Sequence, residues 1–487
     1  MDRKNAWETY DAKDLKKMEK LCGEYRDFLD KGKTERECVD NIVNIIEKAG
    51  YRELESLVKE DAALKPGDRV YSVWMNKSII LFQMGEQPLS EGMNILGAHI
   101  DSPRLDVKQN PLYEDGGFAY LDTHYYGGVK KYQWVTIPLA LHGVVVKKDG
   151  TTVELNVGED EDDPVFFVSD LLIHLAQEQL EKKAAKVIEG EALDIIIGNR
   201  PIVLDKKDKK SAKAEKKDEE KKDEEQAAKE AVKAGVLQIL KENYGMDEED
   251  FISAELEVVP AGKAREAGFD RSMILAYGQD DRVCAFTSMQ AMLDSGRTDR
   301  TLCCILVDKE EIGSVGATGM KSRFFENAVA ELMNLAGEYS ELELRRCLAH
   351  SCMLSSDVSS AYDPGFASSF DKKNVAYLGG GMVFNKFTGS RGKSGSNDAN
   401  AEYIAHIRDI FAKEKVLFQT AELGKVDLGG GGTIAYILAR YGMNVIDSGV
   451  AVMNMHAPWE ATSKADVYET YRGYMAFAAH ADERKIF

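Results

Sequence analysis

The chain has 487 residues, of which 44% are hydrophobic and 30% are charged, and it carries a net charge of -20 at pH 7. A chain of this composition can bury a sizeable core, and its length favours two domains of unequal size. The acidic balance argues against nucleic acid as a partner, because phosphate binding requires a basic surface.

We expect neither a membrane-spanning segment nor an export signal. No apolar run approaches the length of a membrane span, and the first residues lack the apolar core of a secretory signal. The seven cysteines include no Cys-x-x-Cys pair, which favours buried, reduced thiols. We therefore expect a cytoplasmic protein that does not bind membranes.

Residues 8–62 are predicted to be mainly helical. Thr34 and Glu37 form a capping-box-like start for an amphipathic helix. Strand-like segments follow at 69–84 and 94–100. The second of these leads into the sequence Gly-Ala-His-Ile-Asp-Ser-Pro, which begins at Gly97.

Many short strand-like pieces occupy residues 105–267 and predict an inserted, β-rich domain. Within it, residues 205–225 form a low-complexity run of mixed charge. Such a run has little to bury, which predicts a solvated or disordered surface loop.

Strands and helices alternate again after residue 270. The predicted elements are a strand at 272–277, a helix at 283–295, a strand at 301–307, a helix at 323–336 and a strand at 352–356. The fold class is therefore α/β, with one discontinuous domain formed by residues 1–104 and 268–487 and interrupted by the insert 105–267.

Five short stretches carry histidine or acidic residues, and most of them follow a predicted buried strand. They are residues 97–103, 279–282, 308–313, 356–358 and 455–457. Ligands gather at the carboxyl ends of strands in open α/β sheets. Together the imidazole and carboxylate donors could hold two divalent ions, which clamp a carbonyl oxygen and activate a bridging water.

Such a centre also needs an acidic residue that stays off the metals and takes the proton of the water. Glu310 and Glu311 are adjacent in a predicted loop, so their side chains point differently and can divide the ligand and base roles. Asp101 lies two residues after His99 and could orient that imidazole.

Three of these segments resemble the signatures of the zinc metallopeptidase family that contains aspartyl aminopeptidase and aminopeptidase I. They begin at Gly97, Asp308 and Met455, and they occur in the family's order over nearly the whole chain. The resemblance implies a zinc-exopeptidase-like catalytic domain, in which helices flank a mixed β-sheet. It also implies that the β-rich insert serves in dimerisation.

The resemblance assigns roles by position. It implies five metal ligands, which are His99, Asp280, Glu311, Asp357 and His456, with Asp280 bridging two ions. It makes Glu310 the general acid and base and Asp101 the orienting acid. Asp280 is chosen over Asp281 by the register of the following helix. Zinc is the expected metal, although manganese and cobalt accept the same donors.

Further expectations concern substrate binding and assembly. His174 resembles the family histidine that reaches into a neighbouring subunit's active site, and family members form dimers and tetrahedral dodecamers. Lys386 and Lys393 align with substrate-binding positions, with solvated surface lysines as the alternative. The glycines at 429–432 lack the lysine of a P-loop and are predicted to line the substrate cleft.

Two departures bear on specificity. Gln133-Trp134-Val135 replaces a Trp-x-Asp-Arg segment of the aspartyl branch, and Ser360 replaces a substrate-contacting histidine of that branch. The chain therefore looks closer to the aminopeptidase I type, with either neutral or acidic N-terminal residues as substrates.

The leading hypothesis is a two-zinc aminopeptidase that removes N-terminal residues from peptides with a free amino terminus. A related two-metal deacylase or carboxypeptidase is one alternative, and a metal-bound assembly protein without turnover is another. Glu310, a candidate base beside the ligand Glu311, argues against the assembly protein, because a protein without turnover needs no base.

Overall fold

The computed structural model describes residues 4–202 and 229–482. The chain divides into two compact units, Met1–Ser102 with Lys263–Phe487, and Pro103–Gly262. We refer to them as the discontinuous unit and the inserted unit. The charged run 205–225 lies outside the described residues.

The helices of the discontinuous unit come from the sequence before and after the insertion. Their bounds are Ala12–Lys31, Glu35–Lys48, Leu54–Glu60, Gln279–Asp294, Phe324–Leu335, Glu341–His350, Ala401–Glu414, Ala435–Ala439 and Lys464–His480. The inserted unit contains the helices Gln177–Leu180, Ala184–Val187 and Ala231–Tyr244.

Strands are numbered here in chain order. They are β1 (Arg52–Glu53), β2 (Arg69–Trp74), β3 (Ser78–Gln83), β4 (Met93–His99), β5 (Arg104–Asp115), β6 (Phe118–Tyr126), β7 (Leu139–Val146), β8 (Thr152–Val157), β9 (Ile195–Gly198), β10 (Ala254–Pro260), β11 (Arg265–Ala267), β12 (Met273–Ala276), β13 (Thr301–Val307), β14 (Cys352–Ser356), β15 (Ser359–Ser360), β16 (Met382–Asn385), β17 (Phe418–Thr420), β18 (Asn444–Gly449), β19 (Ala451–Met453) and β20 (Glu460–Ser463).

The predicted helical start of the chain is confirmed, although it is broken into three helices with β1 before the third. The capping box at Thr34 is present. The Thr34 hydroxyl accepts a hydrogen bond from the Glu37 N–H at 3.2 Å, and the Glu37 carboxylate accepts one from the Thr34 N–H at 3.1 Å. These bonds satisfy two N–H groups that the first turn leaves without helical partners.

A nine-stranded mixed sheet forms the centre of the discontinuous unit. Its order is β1-β2-β3-β13-β4-β14-β18-β16-β17. The four central strands β13, β4, β14 and β18 run parallel, and β3 and β16 flank them in the antiparallel direction. Because β13 and β14 lie on opposite sides of β4, the chain reverses its direction of winding there, and open α/β sheets bind ligands at such a point.

Both faces of this sheet are covered by helices, as strand β13 shows. Cys304 and Leu306 pack with the helices Ala12–Lys31 and Gln279–Asp294, whereas Cys303 and Ile305 pack on the opposite side, with the helix Phe324–Leu335. An uninterrupted apolar strand is expected where both faces are buried. The predicted α/β class, with helices flanking a mixed sheet, is confirmed.

The inserted unit is built on a six-stranded antiparallel sheet of order β8-β7-β10-β5-β6-β9, as its many short strand-like pieces predict. All seven cysteines are buried and free of disulfides. Over residues 4–202 and 229–482, no helix combines the length and the apolar character needed to cross a membrane.

Candidate metal centre

The predicted ligands lie at or just beyond the ends of strands. His99 is the last residue of β4, and Asp357 directly follows β14. Glu311 lies in a short 3-10 turn, Glu310–Ile312, after β13. Asp280 is at the start of the helix Gln279–Asp294, and His456 follows β19. The fold therefore brings together side chains that are up to 357 positions apart in the sequence.

Asp280 lies between two histidines. Its Oδ1 is 3.3 Å from His99 Nε2, and its Oδ2 is 3.2 Å from His456 Nε2. The residue is only 2% exposed. A carboxylate whose two oxygens face different imidazoles has the arrangement that a bridge between two cations requires.

A second carboxylate accompanies each histidine. Asp357 Oδ1 lies 3.9 Å from His99 Nε2, and Glu311 Oε1 lies 3.5 Å from His456 Nε2. Ligand atoms within 4.8 Å of one another also form two groups, His99 with Asp280 and Glu311, and His99 with Glu310 and Asp357. Nitrogen and oxygen donors of this kind suit zinc and similar divalent ions.

Electrostatics favour a cation at this place. Burial raises the pKa of Glu310 to about 8, and the nearby Asp357 carboxylate adds to the effect. Burial also raises the pKa of Glu311 well above its usual value, with the Asp280 carboxylate contributing. Buried carboxylates this close repel one another, and a divalent cation would remove the repulsion. Moreover, Asp280 Oδ1 is buried and accepts no hydrogen bond from the described residues, so the donor set fits a metal.

Asp101 is buried beside His99. Its Oδ1 is 3.3 Å from His99 Nδ1. Its carboxylate oxygens also accept the backbone N–H groups of Glu310 at 3.1 Å and Glu311 at 3.2 Å. This second contact was not predicted. It anchors the turn that carries both glutamates.

Glu460 is a residue of the centre that sequence reasoning missed. It is 1% exposed, and its Oε2 accepts the Asp280 N–H at 3.0 Å while its Oε1 accepts the His456 N–H at 2.7 Å. The one available signal was an acidic residue four positions after His456, at the start of a short strand. Periodicity alone does not separate such a residue from a surface glutamate.

Asp281 was the alternative to Asp280. It is fully buried but belongs to neither group of ligand atoms. Burial raises its pKa well above the usual value. The structure thus places Asp280, and not its neighbour, between the two histidines.

A cleft of about 460 Å³ opens onto the centre. Asp280, Glu310, Glu311, Asp357 and His456 line it, together with Lys321, Asn385, Thr388, Leu423, Gly430, Gly431, Gly432, Thr433, Tyr436, Asp447 and Met455. Three of the four glycines at 429–432 therefore line the cleft, namely Gly430, Gly431 and Gly432. At Gly430 the backbone has φ +117°, and a Cβ would lie 2.6 Å from Ser390 Cα, so only glycine allows this approach.

The three predicted substrate-binding residues are not among the residues that line this cleft. Lys386 and Lys393 both pair with Asp398, at 2.7 and 2.9 Å, and neither lines the cleft. His174 is exposed in the short 3-10 turn Ile173–Leu175 of the inserted unit, whereas the ligands belong to the discontinuous unit. The roles of these three residues stay predictions. Lys321, which was not predicted, lines the cleft and donates to the Gly313 carbonyl at 2.9 Å.

Comparison with known proteins identifies the family. A family profile described as aminopeptidase I zinc metalloprotease (M18) matches residues 28–478. The chain belongs to this M18 family. The resemblance seen in the sequence is thereby confirmed, and the protein is a metalloaminopeptidase, a hydrolase of the zinc-dependent class.

Individual M18 proteins resemble the chain over nearly its whole length. It is 60% identical over 474 residues to "Probable M18 family aminopeptidase 1" of Clostridium acetobutylicum, covering 97% of each chain. The crystal structure of an M18 aminopeptidase from Thermotoga maritima superposes with a TM-score of 0.89 at 43% identity, over 98% of this chain and 99% of the other. The mApe1 dodecamer of S. cerevisiae shares the fold at 20% identity, with a TM-score of 0.71 over 93% and 95% of the two chains.

Family membership decides between the three hypotheses drawn from the sequence. It favours the zinc aminopeptidase over a deacylase or carboxypeptidase and over an assembly protein without turnover.

Proposed function

We propose that this M18 aminopeptidase uses two divalent metal ions, bridged by Asp280. His99 and Asp357 would complete one site, and His456 and Glu311 the other. The observation that carries the proposal is the placement of Asp280, whose two oxygens face imidazoles from different elements at 3.3 and 3.2 Å. A single-metal site has no need of a second histidine on the far side of the carboxylate.

When bound, the two ions would polarise the scissile carbonyl and lower the pKa of the attacking water. Glu310 accepts the proton of that water on a carboxylate oxygen. It then delivers the proton to the nitrogen of the departing amide. Glu310 lines the cleft next to the ligand Glu311, which places its carboxylate near the reacting atoms, as both transfers require.

Asp101 supports this chemistry by holding the turn that carries Glu310 and Glu311. Because its carboxylate holds the backbone N–H groups of both Glu310 and Glu311, the base and the ligand keep a constant spacing. A fixed base near the reacting atoms avoids an entropic cost at the transition state.

The substrates we propose are peptides with a free amino terminus and a neutral or apolar first residue. The carboxylates of the cleft attract a positively charged amino terminus. Leu423, Tyr436 and Met455 add apolar surface to the lining. Lys386 and Lys393, which could have favoured acidic residues, pair with Asp398 outside the lining of the cleft. Lys321 does line the cleft, but its ammonium donates to the Gly313 carbonyl at 2.9 Å. Together with the apolar lining, this arrangement supports the aminopeptidase I type over the aspartyl type.

We further propose that the chain self-associates through its inserted unit, into dimers and then a tetrahedral dodecamer. Four consecutive or nearly consecutive apolar side chains are exposed there, Leu171 by 48%, Leu172 by 55%, Ile173 by 65% and Leu175 by 67%. Exposed apolar surface of this kind is typical of an interface. His174 lies within this run, where it could reach a neighbouring subunit.

The test is hydrolysis of aminoacyl-p-nitroanilides of Asp, Glu, Leu, Met and Lys, with N-acetyl-Leu-p-nitroanilide as a blocked control. Each is assayed before chelation, after chelation, and after return of zinc, manganese or cobalt. We expect metal-dependent release from free-amine substrates, fastest with Leu or Met, and two metals per chain at full activity. Cleavage of the blocked control would contradict an aminopeptidase, and a preference for Asp would contradict the proposed specificity.

A further inference from the structure

Glu460 connects two segments that carry ligands but are remote in sequence. Asp280 is the second residue of the helix Gln279–Asp294, and His456 lies in the loop between β19 and β20. The Glu460 carboxylate accepts one backbone N–H from each of these two residues. Both bonds go to the main chain, so Glu460 can hold the two ligands in place without coordinating a metal itself.

His456 has more need of such support than His99. Its backbone has φ 65°, a left-handed conformation that is unfavourable for a residue with a side chain. The His456 side chain is 34% exposed, against 2% for His99. His99, by contrast, lies in the ladder of a central strand and pairs with Val307 of β13.

The other ligands have anchors that do not involve Glu460. The Asp357 N–H donates to the Ser448 carbonyl at 2.9 Å. Glu311 is held by Asp101 at 3.2 Å. Asp280 keeps a second anchor, because the Ser102 hydroxyl donates to its carbonyl at 2.7 Å. Of the two ligands that Glu460 holds, His456 has the left-handed backbone and the more exposed side chain, so loss of Glu460 should displace His456 more than Asp280.

We propose that Glu460 is a positioning residue that selectively sets the affinity of the metal site containing His456 and Glu311. The inference rests on the proposed two-metal function. Residues that orient metal ligands typically contribute about 10- to 100-fold to metal affinity. We expect an effect of this size at one site and little change at the other.

The experiment uses Glu460→Gln, which keeps the size of the side chain. The amide has only one oxygen, so its NH2 group must face one of the two backbone N–H groups and that hydrogen bond is lost. Metal-free protein is titrated with zinc against a competing chelator, and with Co²⁺ while its visible absorption is followed. The wild type should bind two ions. The variant should bind one ion with nearly wild-type affinity and the second about 10- to 100-fold more weakly, and excess zinc should restore its turnover.

Asp466→Asn is the matched control. Asp466 is also a fully buried carboxylate that accepts two backbone N–H groups, from Gly379 at 2.8 Å and Gly381 at 2.7 Å. These donors belong to the segment before β16 and carry no ligand. This variant should keep both metal affinities, even where its thermal stability falls.

The outcomes separate the two proposals. A wild type that binds a single ion would overturn the two-metal function itself. Two ions in the wild type, with both affinities unchanged or equally reduced in Glu460→Gln, would overturn the role of Glu460 alone. Circular dichroism checks folding. Should Glu460→Gln fail to fold, Glu460→Asp provides the test, because its shorter carboxylate cannot span both donors and should weaken the same single site.

Discussion

Replacement of Glu310 by glutamine separates the role of a base from that of a metal ligand. The amide has nearly the same shape as the carboxylate but cannot accept a proton at neutral pH. Asp101 accepts the backbone N–H groups of residues 310 and 311, which the substitution leaves in place. The turn should therefore keep its conformation in Glu310→Gln, and Glu311 should keep its place.

The expected loss is that of a general acid and base, about 10²- to 10⁴-fold in kcat. At 1.36 kcal/mol per factor of ten, this corresponds to about 2.7–5.4 kcal/mol of transition-state stabilisation. Glu310 lines the cleft beside the proposed ligands Glu311 and Asp357, a position from which it can contribute an effect of this size. KM should change little, since the base contributes to the transition state and not to binding of the ground state.

The assay combines steady-state kinetics on Leu-p-nitroanilide with elemental analysis of the purified variant. Glu311→Gln serves as the comparison and should lose zinc together with rate. The structure also allows Glu310 to be a metal ligand, because its carboxylate lies with the ligand atoms of His99 and Asp357 in a group whose members are within 4.8 Å of one another. A loss of zinc in Glu310→Gln would show that Glu310 is a ligand, and near-normal turnover with full zinc would show that it is not the base.

Three further predictions concern the metals, the cleft and the assembly. His99→Ala should lower zinc content and rate together, and full zinc occupancy measured by elemental analysis would refute its role as a ligand. Gly430→Ala should raise KM several-fold at unchanged zinc content, because the added Cβ would lie 2.6 Å from Ser390 Cα and displace the lining of the cleft; wild-type KM would show that this approach is dispensable. Ile173→Asp should shift the protein to smaller species in light scattering, because it places a charge on a side chain that is 65% exposed within the apolar run; an unchanged mass would exclude that surface from the interface.

The local pattern of the sequence was sufficient to predict the α/β class, the strands that lead to the centre and the cap at Thr34. The reason is that burial on both faces demands an apolar strand, such as Thr301–Val307, and that a cap depends on residues three positions apart. The family signatures around His99, Glu310 and His456 identified the class of protein, because metal chemistry restricts which side chains can occupy those positions.

The tertiary structure alone decided which side chains meet. Glu460 looks like any surface glutamate until β20 brings its carboxylate to two backbone N–H groups. Lys386 and Lys393 look suited to an acidic substrate until both are found beside Asp398. The sequence by itself determined the donors and the strands that carry them, because these depend on local chemistry and periodicity. The spacing of the donors depends on contacts between residues far apart in the sequence, such as Glu460 with Asp280 and Asp101 with the turn at Glu310 and Glu311, which no local pattern specifies.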